Sequence, residues 1–166
     1  MKEIKTKLIY TLKYILIFVG VCLCAIFERS FLAHVSFGKF FGLSFIICAV
    51  LSLKAHRVEA CVVSGLCGLF ADIYSVSLPY FSLIYLYISL GCVWCESFFA
   101  SLKGKTVFLI CFLVFFAIML AIRIFDMLTQ GSLFLSWEMF LEVLLFAFIN
   151  SAFSPIVFAV LKRVKL

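Results

Sequence analysis

Charge is scarce in this 166-residue chain: Asp, Glu, Lys and Arg make up 13% of it, against 67% hydrophobic residues. With a mean hydropathy of +1.30, that scarcity excludes a water-soluble domain. The polar segments between the apolar runs are short, which leaves no room for a soluble catalytic domain beside them. Histidine occurs only at His34 and His56, in segments predicted on opposite sides of a membrane, so neither a shared metal site nor a catalytic triad is expected. A glycine-rich phosphate loop, an H-E-x-x-H string and a G-x-S-x-G string are all missing. Cations are nearly missing from alternate connecting segments, and this absence carries the most information.

Six apolar stretches can be drawn: Leu8–Phe27, Phe37–Leu53, Val58–Tyr74, Leu78–Leu102, Thr106–Leu128 and Glu138–Leu161. A bilayer core of about 30 Å takes about 20 apolar residues per helix. Continuous runs such as Val107–Leu120 do not fit the alternating strands of a membrane barrel. If the N-terminus is cytoplasmic, the inner segments hold Lys2, Lys5, Lys7, Lys54, Arg57, Lys103, Lys105, Lys162, Arg163 and Lys165. The outer segments hold only Arg29 and Lys39, while Lys13 and Arg123 lie inside apolar runs. Lys and Arg near helix ends resist translocation. The expectation is an all-α polytopic membrane protein: one domain over 1–166, six transmembrane helices, both termini cytoplasmic. The net charge of +6 is spread over four cytoplasmic segments. It suits anionic lipid headgroups, not nucleic acid, which needs a contiguous basic patch.

All eight cysteines fall inside these runs and are expected as small, polarizable core residues without a disulfide framework. Cys92-Val-Trp-Cys95 matches C-x-x-C, but deep in an apolar helix, where a redox thiolate would be neither stabilised nor reachable. The first run has a basic lead-in but no small-x-small cleavage site before Phe27-Glu28-Arg29, so an uncleaved first helix is expected. Pro79 suits the first turn of the fourth helix. Lys103-Gly104-Lys105 reads as a cytoplasmic turn with a helix stop at the glycine.

The polar residues left inside the runs mark where helices meet or act. In the third run Cys61, Ser64, Gly65, Gly68, Asp72 and Ser75 share one helical face, a small-residue stripe that lets another backbone approach. Asp72 is expected to face protein and a donor. The fourth run carries a matching stripe of Ser82, Tyr85, Ser89, Cys92, Glu96 and Ala100, and the short turn between the runs brings the stripes together. Glu96 is expected at the inner headgroups or paired with Lys103 or Lys105. Arg123 and Asp126 are spaced to pair with each other, and Glu142 can reach Arg123 across the bundle. Asn150, Ser151, Ser154 and Pro155 interrupt the last run. Pro155 cannot donate to the Ser151 carbonyl and should kink the helix, leaving a cavity or a groove for a partner helix.

The string His56-Arg57-Val58, followed by Gly68-Leu-Phe-Ala-Asp72-Ile-Tyr-Ser75, resembles the MreD family of rod shape-determining membrane proteins. The last run is similar too, with Asn150, then Pro155, then an apolar stretch closing on Leu161-Lys162-Arg163. The likeness covers order, spacing and length from about residue 40 onward. The chain departs from the family at Val76 and Pro79-Tyr80, where glycines are usual, and at Ser36-Phe37-Gly38-Lys39, which lacks the usual proline.

The resemblance implies a non-enzymatic subunit of the bacterial cell-elongation machinery in the cytoplasmic membrane. Its implied partners are a bitopic MreC-like protein, the RodA glycosyltransferase with its class B penicillin-binding protein, and MreB-like filaments. No cofactor or metal is implied. The family is also similar to the S components of energy-coupling transporters, so a vitamin- or metal-uptake S component is the alternative. Candidate partner-binding or packing residues are His56, Arg57, Gly65, Gly68, Asp72, Ser75, Glu96, Arg123, Asp126, Glu142, Asn150 and Pro155.

Overall fold

The computed structural model describes residues 2–30, 40–55, 57–74, 80–99, 101–130 and 136–163. Among them the fold is all-helical: α1 (Lys2–Ser30), α2 (Leu43–Ser52), α3 (Arg57–Tyr74), α4 (Tyr80–Glu96), α5 (Gly104–Gln130) and α6 (Trp137–Arg163). Two helices, α5 and α6, are long and apolar enough to cross a membrane.

The described residues form six helices where six apolar runs stand, but two of the helices are shorter than their runs. The second run, drawn over Phe37–Leu53, yields a described helix of only 10 residues, about 15 Å at 1.5 Å per residue. The fourth, drawn as Leu78–Leu102, ends at Glu96. There the amides of Ser97, Phe98 and Phe99 bond the carbonyls of Trp94, Cys95 and Glu96, a tightening of the last turn that closes a helix end. Hydropathy could not find this stop, because Phe98 and Phe99 are as apolar as the helix before them. Gly104 opens α5 and stops no helix, with the Lys103 carbonyl accepting the first bond, from the Val107 amide. Glu28, one residue beyond the first run as drawn, lies in the last turn of α1. Pro155 sits within a helix that runs on to Arg163. Its Cβ lies 3.7 Å from where a side chain at Gly104 would begin, which seats the start of α5 against α6.

The shortest helix is the centre. α2 touches all five others, while α3 packs chiefly on α4 and α5 chiefly on α6. Ile46, Cys48, Ala49, Val50 and Leu51 of α2 are completely buried. One core cluster gathers Ile46, Ala49 and Val50 with Ile88 of α4, Val107, Ile110 and Phe115 of α5, and Ala147 of α6. A second, on the other side of α2, gathers Cys48 and Leu51 with Val21 of α1, Val63, Cys67 and Ala71 of α3, and Tyr85 of α4.

The outside of the bundle is apolar as well. Val58, Val62, Leu66, Leu69 and Ile73 form an exposed stripe along α3, and α1, α4, α5 and α6 each expose comparable residues. Ser44, Ser52, Ser64, Ser89, Asn150, Ser151 and Ser154 are buried instead.

Candidate functional site

Buried polar groups need partners, and here those partners join helices. Gly68 and Asp72 make the first joint. A Cβ on Gly68 would lie 2.4 Å from the Ser82 Cα and 2.8 Å from the Phe81 carbonyl oxygen, so the α4 backbone rests directly on α3. One turn further, the Asp72 carboxylate accepts the amides of Phe81 and Ser82, both at 2.8 Å. These are the N–H groups that a helix's own cap residue normally satisfies, and the negative charge also opposes the helix dipole favourably. The expected donor partner of Asp72 is therefore the start of α4. The spacing Gly68-x-x-x-Asp72 sets close approach and capping on the same helical face.

The start of α2 is the second joint. Gly42 precedes α2 and offers no side-chain cap; two other helices supply it. Glu28 of α1 accepts the Ser44 amide and the Ser44 hydroxyl, each at 2.6 Å. The Ser44 hydroxyl in turn accepts the Tyr85 phenol of α4 at 2.6 Å. From α6, the fully buried Asn150 accepts the Gly42 amide at 2.7 Å. Its Nδ2 donates to the carbonyls of Phe40 at 2.9 Å and Phe146 at 2.7 Å. Asn150 thus interrupts an apolar run because it holds the entry to another helix, not because it breaks its own. Glu28 and Ser44 were not among the sequence candidates. No local signal pairs them, since the contact joins two helices across 31–39, which lie outside the described residues.

At the C-terminal end of α2, Ser52 and Ser89 share a hydrogen bond of 2.7 Å, and Ser89 lies 3.6 Å from the Cys61 sulfur. The α4 stripe therefore serves two neighbours, α3 at Ser82, α2 at Tyr85, and both at Ser89. Ser64, buried on α3, has no hydrogen-bond partner among the described residues.

The ion pair on α5 joins Arg123 to Glu142 of α6, at 2.9 Å. The spacing-based pairing of Arg123 with Asp126 is not made. Asp126, half-buried, accepts the Thr129 hydroxyl on its backbone carbonyl. Nor is Glu96 paired with Lys103 or Lys105: it ends α4 half-buried while both lysines are exposed. Lys54 donates instead to the Leu161 carbonyl near the end of α6. Arg57 is exposed at the start of α3, and Gly65 lies beyond it on a groove between α3 and α4. His56 and Ser75 lie outside the described residues, as do His34 and Pro79. All eight cysteines are free thiols. Among the described residues no three His, Cys, Asp or Glu side chains are grouped to hold a metal ion.

Against protein-family models, curated proteins and solved structures, the chain matches none.

Proposed function

We propose that this chain is a multi-pass protein of the bacterial cytoplasmic membrane that works as a non-enzymatic scaffold of the cell-elongation complex, as its likeness to the MreD family implies. One observation supports the scaffold above others: Gly68, Asp72 and Asn150, which carry that likeness, are all engaged in helix-to-helix joints. They set the relative positions of α2, α3, α4 and α6, so they act on the shape a partner would meet.

The membrane part of the reading is supported by the inside-out distribution of residues. Exposed apolar stripes on five helices suit lipid and would aggregate in water. Backbone that starts or stops inside a bilayer must be satisfied by protein, and the caps from Glu28 and Asn150 do this for the short α2. In this reading six helical segments place both termini in the cytoplasm, with the Lys54–Arg57 and Lys103–Lys105 turns on the same side. The partners are a bitopic MreC-like protein, the RodA glycosyltransferase with its penicillin-binding partner, and MreB-like filaments.

The second reading is an S component of an uptake transporter. Its support is the convergence of Glu28, Ser44, Tyr85 and Asn150 around the start of α2, the kind of polar group that orients a small ligand. The contacts already described engage each of these side chains within the chain itself. Depletion in a rod-shaped host separates the two readings. Rounded cells, together with co-purification of a bitopic protein in mild detergent, are expected of the scaffold. Normal shape, with a retained vitamin or a co-purifying ATPase pair, would overturn it in favour of the transporter.

A further inference from the structure

A groove of about 640 Å³ runs between α3 and α4 on the outside of the bundle. Its walls include Cys61, Gly65 and Leu69 of α3 and Leu86 and Leu90 of α4, and Arg57 stands at one end. The groove is shaped by the Gly68 joint. At Gly68 the two backbones touch, whereas at Gly65 an added Cβ would meet only a side-chain atom, Leu86 Cδ1, at 3.7 Å. The helices thus meet at Ser82 and leave an apolar furrow toward Arg57.

Length and charge identify an occupant. From Arg57 to Leu69 the groove follows α3 for about 18 Å, close to the depth of one leaflet of a hydrocarbon core about 30 Å thick. A partner's transmembrane helix would need the furrow to continue through the other leaflet, where the Gly68–Ser82 contact closes it. Arg57 makes no ion pair with a carboxylate among the described residues, so its guanidinium is available at the open end. Guanidinium matches a phosphate with paired N–H donors.

We propose that this groove binds one phospholipid of the inner leaflet, its acyl chain lying along Gly65 and Leu69 and its anionic headgroup on Arg57. The inference rests on the membrane reading above but not on the elongation complex.

The test is to extract the full chain from membranes in mild detergent, exchange it into micelles with equal phosphatidylglycerol and phosphatidylcholine, and measure retained lipid by mass spectrometry. The unaltered protein is expected to keep phosphatidylglycerol in preference. Arg57→Gln should retain about fivefold less, the effect of one cation at a lipid surface. Leu90→Trp, which fills the furrow, should lose the bound lipid. Lys103→Gln removes an exposed cation away from the groove and should change nothing. Equal retention of the two lipids, no loss in Arg57→Gln, or an equal loss in Lys103→Gln would overturn the proposal. So would a photo-crosslinker at Leu90 that captures a polypeptide in place of lipid. Recovery of the chain in the carbonate-soluble fraction would instead refute the membrane reading itself, and normal cell shape on depletion would refute only the scaffold.

Discussion

Gly68→Ala should be among the most damaging single-methyl additions in this protein, while Gly65→Ala, three residues away on the same face, should be harmless. The reason is what each new Cβ meets. At position 68 it lies 2.4 Å from the Ser82 Cα and 2.9 Å from the Ser82 amide nitrogen, and backbone in a helix cannot rotate away as a side chain can. Overpacking of this kind costs about 1–3 kcal/mol. Relief requires α4 to move outward, which stretches both Asp72 bonds, and losing a helix cap adds about 1–2 kcal/mol. The sum is about 2–5 kcal/mol. At position 65 the nearest atom is a flexible leucine methyl at 3.7 Å, and replacing a mid-helix glycine by alanine gains about 0.5–1 kcal/mol. Reversible unfolding in detergent, followed by tryptophan fluorescence, gives both values. Asp72→Ala should cost only the cap, and combining it with Gly68→Ala should cost less than the two added together, because both act on one joint. Equal stability of Gly68→Ala and Gly65→Ala, or full additivity with Asp72→Ala, would refute the reasoning.

Asn150→Ala strands the buried Gly42 amide and removes the side-chain bonds to the Phe40 and Phe146 carbonyls, and about 1–3 kcal/mol of destabilisation is expected from the unpaired amide alone. Faster hydrogen exchange at Gly42 is its specific sign. Ser154→Ala, which loses a bond to the Asn150 carbonyl but strands no backbone amide, should cost less. Glu142→Gln removes the charge that pairs with Arg123, the two side chains being 38% and 35% exposed. The expected loss is therefore at most about 1 kcal/mol, shrinking as salt is added, and exchanging the two charges should restore it. Tyr85→Phe removes the donor to Ser44 and should cost about 0.5–1.5 kcal/mol, measured in the same unfolding assay. Cys22, Cys48, Cys67, Cys92 and Cys111 are buried and should resist a maleimide until the protein is denatured, which mass spectrometry of the labelled chain would show.

The approach of α4 to α3 was legible in the sequence, because Gly68 and Asp72 share a face through spacing alone. The pairing of Arg123 with Glu142 was legible as one of two options, and only the packing of α5 on α6 selected it over Asp126. The role of Asn150 was read as a feature of its own helix. Its partners are more than a hundred residues away, at Phe40 and Gly42, where no spacing rule reaches. Glu28 was passed over for the same reason. The ends of α2 and α4 were also hidden, since turn residues as apolar as Phe98 and Phe99 give hydropathy nothing to register.

By itself, the sequence determined a helical chain, the number of helices, the separation of basic from cation-poor connections, and the faces where small and polar residues gather. Those properties are local: they depend on run length, composition and the 100° step of a helix. Only the tertiary structure decided that the shortest helix lies at the centre, which helices cap it, and where a furrow opens on the surface. In most proteins an apolar face against a polar one tells inside from outside. Here both sides of most helices are apolar, so that contrast is gone: which apolar side chains are buried is set by how the helices pack, and most of the buried polar ones lie where they find a bonding partner.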